Sequence, residues 1–274
     1  MFFLQKNALE LDYSTANLVD TLFDRMIAHI KVNRRSTLII NASNFTNGRN
    51  NPRTFLPSGS IDSHYYNDGG SINSISPYST IIINNSRFVK NHAFTQNGQL
   101  VSTASREGAV YSASEVTVDG CVFEGNSASR GGAVYSENTA TTINTRFTQN
   151  SGPDDYHNYG GAIYSSSDIV AINSIFQSNW ARNGGATYST NGMISTSNVF
   201  INNTASNGNG GAIYSVQNVT AINDSFVQNS AIIGSGGAVY VDADNADIFF
   251  SGNRFSNNTA VMLCSSKCYC ALRK

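Results

Sequence analysis

"RGGAVYS", Arg130–Ser136, runs from two glycines into a small, a β-branched and an aromatic residue, the order expected where a tight turn opens into a strand. The string returns as "GGAIYS" at Gly160 and again at Gly210. Close variants begin at Glu107 ("EGAVYS"), Gly184 ("GGATYS") and Gly236 ("GGAVYV"), and a worn copy, "GGSINS", begins at Gly69. A second element, Phe-x-x-Asn, follows each of them: Phe88/Asn91, Phe123/Asn126, Phe147/Asn150, Phe176/Asn179, Phe200/Asn203, Phe226/Asn229 and Phe255/Asn258. From the first element to its Phe the distance is 16 residues in five consecutive copies, and 19 in the worn copy and the last. From the Phe to the next glycine pair it varies, at 8, 13, 8, 10 and 10 residues. One half of the unit has a fixed length and the other half is a loop of free length.

A period of 24 to 29 residues marks a solenoid, in which each unit buries its apolar edge only against its neighbours. The fixed half, "GGAIYS" followed by "SSDIVAINSIF", has β-branched residues in alternation and no helical spacing, which gives strand, short turn, strand. Short strands stacked parallel and in register make an all-β, right-handed parallel β-helix rising about 4.8 Å per rung. Like residues then stand above like residues. Phe123, Phe147, Phe176, Phe200, Phe226 and Phe255 are expected to form an interior ring ladder, and Asn126, Asn150, Asn179, Asn203, Asn229 and Asn258 an amide ladder at a bend, where asparagine tolerates a left-handed backbone. The strand after the glycines leaves a choice of face. Apolarity favours Val110, Val134, Ile163, Ile213 and Val239 as interior, which makes the tyrosines from Tyr111 to Tyr240 an exterior stripe. The constancy of Ala and Tyr favours the reverse.

Composition agrees with a polar-looped solenoid. Charged residues are 13% of the 274, prolines are only 4, and the formal net charge is −1, so nothing electrostatic calls for a nucleic acid or an anionic membrane as partner. No apolar run reaches the roughly 18 residues of a membrane helix, and "MFFLQKNALELD" lacks the pattern of a signal peptide. Cys121 stands alone in the array, while Cys264, Cys268 and Cys270 crowd the end, which is not a disulfide framework.

The combined pattern F-x-x-N-x-A, a variable loop, then G-G-A-[IV]-Y resembles the polymorphic membrane protein repeat family of surface adhesins, over roughly residues 36 to 260. The resemblance implies a β-helix displayed on a cell surface and used for attachment to a host or neighbouring-cell surface protein or glycan. It also implies that the motif residues are associated with adhesion: Gly131, Gly132, Ala133, Val134, Phe147 and Asn150; Gly160, Gly161, Ala162, Ile163, Phe176 and Asn179; Gly210, Gly211, Ala212, Ile213, Phe226 and Asn229; and Gly236, Gly237, Ala238 and Val239. The family's C-terminal autotransporter barrel has no counterpart in these residues.

Residues 1 to 35 differ from the array. "ANLVDTLFDRMIAHIK" aligns Leu18, Leu22 and Met26 on one helical face, which suits a short amphipathic cap, although "NLVDTLF" also reads as a degenerate rung ending in Phe23. "STLIINASNF" opens the first recognisable rung, with Asn47 one position early for its motif. Residues 261 to 274 break off where the next glycine pair is due, so a piece of a longer protein is expected.

Polysaccharide-cleaving β-helices need carboxylates placed together beside a strand face. The best pair, Asp154 and Asp155 near His157, lies in the longest loop, and adjacent residues have no enforced common direction. Asp242, Asp244 and Asp247 are spaced like half of a calcium loop but lack its glycine and distal glutamate. Cys264, Cys268 and Cys270 are one ligand short of a structural zinc site. No catalytic residue, metal or cofactor is therefore assigned. Three readings stand: a non-enzymatic adhesive or structural surface module, foremost; a carbohydrate-binding module; and a polysaccharide-cleaving enzyme.

Overall fold

The computed structural model describes residues 9–24, 30–50, 70–93, 108–152, 158–261 and 268–269, and among them every regular element is a strand. One repeat shows the plan. Ile163–Ser165, Ile169–Ile172 and Ile175–Gln177 each lie on a different face, and a short fourth strand, Trp180–Ala181, follows the last bend. Each pairs in parallel with its counterpart one repeat on, Ile163 with Thr187, Ile169 with Met193, Phe176 with Phe200 and Trp180 with Thr204. Nine parallel strands stand on each of the three main faces, giving about eight full turns and a length of roughly 38 Å. The chain is an all-β parallel solenoid. On the first face the stack ends in Cys268–Tyr269, which runs antiparallel to Val239–Tyr240.

The core is a column down the axis. Phe23, Phe45, Phe88, Phe123, Phe147, Phe176, Phe200, Phe226 and Phe255 stack with centroids 4.6 to 5.0 Å apart and planes within 8° of parallel. The rung spacing imposes this offset stacking, because identical rings on registered strands cannot separate further than the strands do. Val110, Val134, Ile163, Ile213 and Val239 face the same core, so the tyrosines of that strand form an exterior column. Ala133 and Ala162 also join the core, because they sit in the bend ahead of the strand rather than in its alternation.

The described part of residues 16–31 is not helical. Thr15–Val19 and Leu22–Asp24 are strands registered on Thr37–Asn41 and Asn44–Thr46, so the degenerate rung is the one that forms. Stacking of Phe23 on Phe45 at 4.8 Å supplies a contact that an amphipathic helix at this site would forgo. The same register explains Asn47. It occupies a left-handed position with φ 54°, and Gly48 takes the place of the ladder asparagine.

Candidate functional site

The repeated residues meet at the bends. After each Phe, the residue before the ladder asparagine turns left-handed, at Lys90, Gly125, Gln149, Ser178, Asn202, Gln228 and Asn257, with φ between 53° and 62°. The asparagine itself is not the left-handed residue, contrary to expectation, and its role is hydrogen bonding. In Asn150 the backbone N–H and Nδ2 both donate to Asn179 Oδ1, at 3.0 and 3.1 Å, and Nδ2 donates again to Phe123 O at 3.0 Å. The pattern runs without a break from Asn91 to Asn258, with donors and acceptors matched in a dry interior. Aspartate would lose the two amide donors, and glutamine would overreach by a methylene.

A second polar ladder occupies the preceding bend. Cys121 N–H donates to Thr145 Oγ1, Thr145 N–H to Ser174 Oγ, Ser174 N–H to Asn198 Oδ1, Asn198 N–H to Asp224 Oδ1 and Asp224 N–H to Asn253 Oδ1, at 2.7 to 3.2 Å. Five residue types share this task, so no sequence motif marks it. Asp224 is 1% exposed, and its Oδ2 meets no hydrogen-bond partner among the described residues. Burial pushes its carboxyl up to about 6, with the polar groups of Ser195 and Asn198 only partly opposing the rise. Cys121, buried four rungs away in the same stack, is pushed up to about 12 by desolvation, which removes it as a nucleophile at neutral pH.

A third set of bonds explains the serine that follows the tyrosine. Ser136 Oγ donates to Ser114 O at 2.8 Å, Ser165 Oγ to Asn138 O at 2.6 Å and Ser189 Oγ to Ser167 O at 2.8 Å, each reaching the rung before. The glycine pair closes the unit. Gly160 has φ +65°, and a Cβ on Gly161 would drive into the carbonyl oxygen of Gly185 on the next rung. Outside the core, the tyrosines from Tyr111 to Tyr240 stack at 4.5 to 5.5 Å, with Arg130 placed 5.5 Å above the Tyr164 ring. The column is exterior to the cylinder, yet largely covered: Tyr135 is 1% exposed, and Tyr159 packs against the same cluster. Burial raises the hydroxyl of Tyr188 to about 12 and moves those of Tyr164 and Tyr214 the same way.

The model of the Chlamydia polymorphic membrane protein repeat matches residues 120–137, 144–166 and 199–216. Each match runs from a motif Phe, across the loop of free length, into the glycine pair and its strand. The chain carries polymorphic membrane protein repeats. No curated protein and no solved structure matches it. Among the described residues no helix is long and apolar enough to cross a membrane.

The motif positions, both within the matched polymorphic membrane protein repeats and in the similar rungs beyond them, are all buried. Gly131 to Val134, Gly160 to Ile163, Gly210 to Ile213 and Gly236 to Val239 form the bend and inner strand, while Phe147, Phe176 and Phe226 lie in the ring ladder with Asn150, Asn179 and Asn229 beside them. What faces outward changes from rung to rung. On the third face, one outer column reads Arg146, Ile175, Val199, Ser225 and the other Thr148, Gln177, Ile201, Val227. Asp154, Asp155 and His157 lie outside the described residues, as do Cys264 and Cys270. Asp242, Asp244 and Asp247 are exposed, and the Tyr240 hydroxyl donates to Asp242 at 3.3 Å.

Proposed function

We propose that the chain is a non-enzymatic adhesive module of a cell-surface protein, which holds a host or neighbouring-cell surface protein or glycan through many similar weak contacts. The observation that carries this reading is the contrast between the repeated Phe, Asn and Gly columns inside the solenoid and the varied outer columns of its third face. The motif residues repeat from rung to rung, while the outer columns of the third face and the lengths of the loops vary. Such a rod offers a partner a series of sites at fixed spacing, so linkage raises avidity without any single strong site. On this reading the glycine and Phe-x-x-Asn motifs serve adhesion indirectly, by fixing where the outer residues stand. The matching repeats, named for polymorphic membrane proteins, support a cell-surface setting.

Purified protein on beads is expected to bind cells or extracellular matrix, and arrays shortened to three rungs are expected to bind much more weakly even when folded. The enzymatic reading expects turnover of an acidic polysaccharide that Asp154→Asn with Asp155→Asn abolishes and that shortening the distal rungs leaves untouched. Product assays across a polysaccharide panel separate the two.

A further inference from the structure

Where the first face turns into the second, the corners of the first three rungs line an open cleft on the outside of the solenoid. Asp12 and Tyr13 come from the first rung, Arg34 and Arg35 from the second, and Ser76 and Tyr78 from the third. Backbone bonds tie the three corners together. Tyr13 N–H donates to Arg34 O at 2.9 Å, Arg35 N–H to Ser76 Oγ at 3.4 Å and Ser36 N–H to Ser79 Oγ at 3.3 Å. The two arginines therefore leave a fixed platform. Arg34 places its guanidinium 5.9 Å from the Tyr13 ring centroid, and Arg35 places its own 5.5 Å from that of Tyr78. Neither forms an ion pair among the described residues, whereas the neighbouring Lys31 is held by Glu10 at 3.3 Å. Tyr13 and Tyr78 are 67% and 71% exposed, in a protein that covers most of its stacked tyrosines.

A guanidinium lying on a ring keeps its N–H edge free for the two-pronged grip of a carboxylate or sulfate, and the ring holds that edge in place. The two tyrosines belong to rungs two strand spacings apart along the axis, about 10 Å, and each has beside it one of the two arginines of the rung between. Exposed aromatic planes suit the C–H faces of sugar rings. Asp12 adds a carboxylate to the lining, a group that can accept from the hydroxyls of a sugar. A bare phosphate or sulfate has no ring to rest on the exposed tyrosines and would leave them unused. A lipid surface would call for a broad basic face, which a chain of net charge −1 with a few cations gathered in one aromatic cleft does not provide. We propose that this corner cleft binds an anionic saccharide, its acid groups gripped by Arg34 and Arg35 and its rings resting on Tyr13 and Tyr78.

The proposal goes beyond the adhesive reading and is tested apart from it, because a short oligosaccharide in solution reports the cleft while beads report the whole array. Titration of the full chain with a heparin-derived hexasaccharide is expected to show saturable binding. Arg34→Ala with Arg35→Ala should weaken it about ten-fold, and Tyr13→Ala with Tyr78→Ala about three-fold. Arg87→Ala with Arg146→Ala, on the third face, should leave it unchanged, and the desulfated, carboxyl-reduced hexasaccharide should bind at least about ten-fold more weakly. Circular dichroism melts check that each variant is folded. If the alanine pair does not fold, Arg34→Lys with Arg35→Lys must still weaken binding about three-fold, since lysine keeps the charge but loses the fork. No binding by the unaltered chain, equal losses in the third-face control, no loss in the cleft variants, or equally tight binding of an acidic peptide of the same charge would overturn the proposal.

Discussion

Asn150 and Asn179, 29 residues apart in sequence, share one oxygen: both the backbone N–H and the side-chain amide of Asn150 donate to Asn179 Oδ1. Asn179 in turn donates to Phe147 O at 3.1 Å and to Asn203 Oδ1 at 3.0 Å. Removing its side chain leaves the buried Asn150 N–H without its acceptor, takes one of two acceptors from Asn150 Nδ2, and takes a donor each from Phe147 O and from Asn203 Oδ1, which keeps only the Asn179 backbone N–H. Asn179→Ala is expected to cost about 3 to 5 kcal/mol in denaturant unfolding. Asn179→Asp keeps the acceptor but points a carboxylate oxygen at two acceptors, so its penalty should be larger at pH 7 than at pH 4.

The ring ladder predicts a contrast between neighbours in one strand. Phe176 lies between Phe147 and Phe200 at 4.9 and 4.8 Å and is fully buried, while Gln177 faces outward toward Arg146. Phe176→Ala should cost about 3 to 5 kcal/mol and loosen both adjoining rungs, visible as faster hydrogen exchange at Phe147 and Phe200. Gln177→Ala should cost about 0.5 kcal/mol or less. Similar costs at the two positions would mean that the ladder does not carry the core.

What the sequence disclosed and what it hid divide along residue identity. The Phe, Asn and Gly columns repeat one residue type because each position admits one chemistry, and these were legible. The second face was not. Its inward positions are Val118, Thr142, Ala171, Ser195 and Ala221, whereas the apolar Ile143, Ile172 and Ile222 one position later point outward. Small and hydroxylated side chains are tolerated inside because the corner ladder satisfies them, as when Asn198 Nδ2 donates to Ser195 Oγ at 2.8 Å. Apolarity alone therefore gives the wrong register there. The N-terminal rung misled for a related reason, since the apolar residues of 16–31 fit a helical face as well as Ala16, Leu18 and Phe23 fit a strand. The cleft at Arg34 and Arg35 has no repeat to announce it and exists only once three corners are stacked.

Asp224 predicts a pH dependence of stability. Its folded pKa, about 6, lies above the ordinary value of 3.8, so the folded state holds the proton more tightly than the unfolded chain does. The group costs nothing below about pH 4, destabilises progressively as pH rises through the window from 3.8 to 6, and above that imposes a constant penalty of about 3 kcal/mol. Asp224→Asn preserves the acceptor for Asn198 N–H and adds a donor, as Asn253 Nδ2 donates to Ala221 O at 2.7 Å one rung on. The variant should be more stable than the parent at pH 7.5 and no more stable at pH 3.5. A lower melting temperature at pH 7.5 would show that the ionised carboxylate has a partner there.

The most direct test of the account alters the outside of the intact rod one rung at a time and reads cell or matrix binding. Ile175 with Gln177, Val199 with Ile201, and Ser225 with Val227 face outward on consecutive rungs and leave the ladders untouched when changed to serine or, for Ser225, to alanine. The account predicts that each single-rung variant stays folded and loses about two- to three-fold in apparent affinity, and that the losses multiply when the three are combined. Complete loss of binding from one rung, or no loss from all three together, would contradict distributed adhesion along the solenoid.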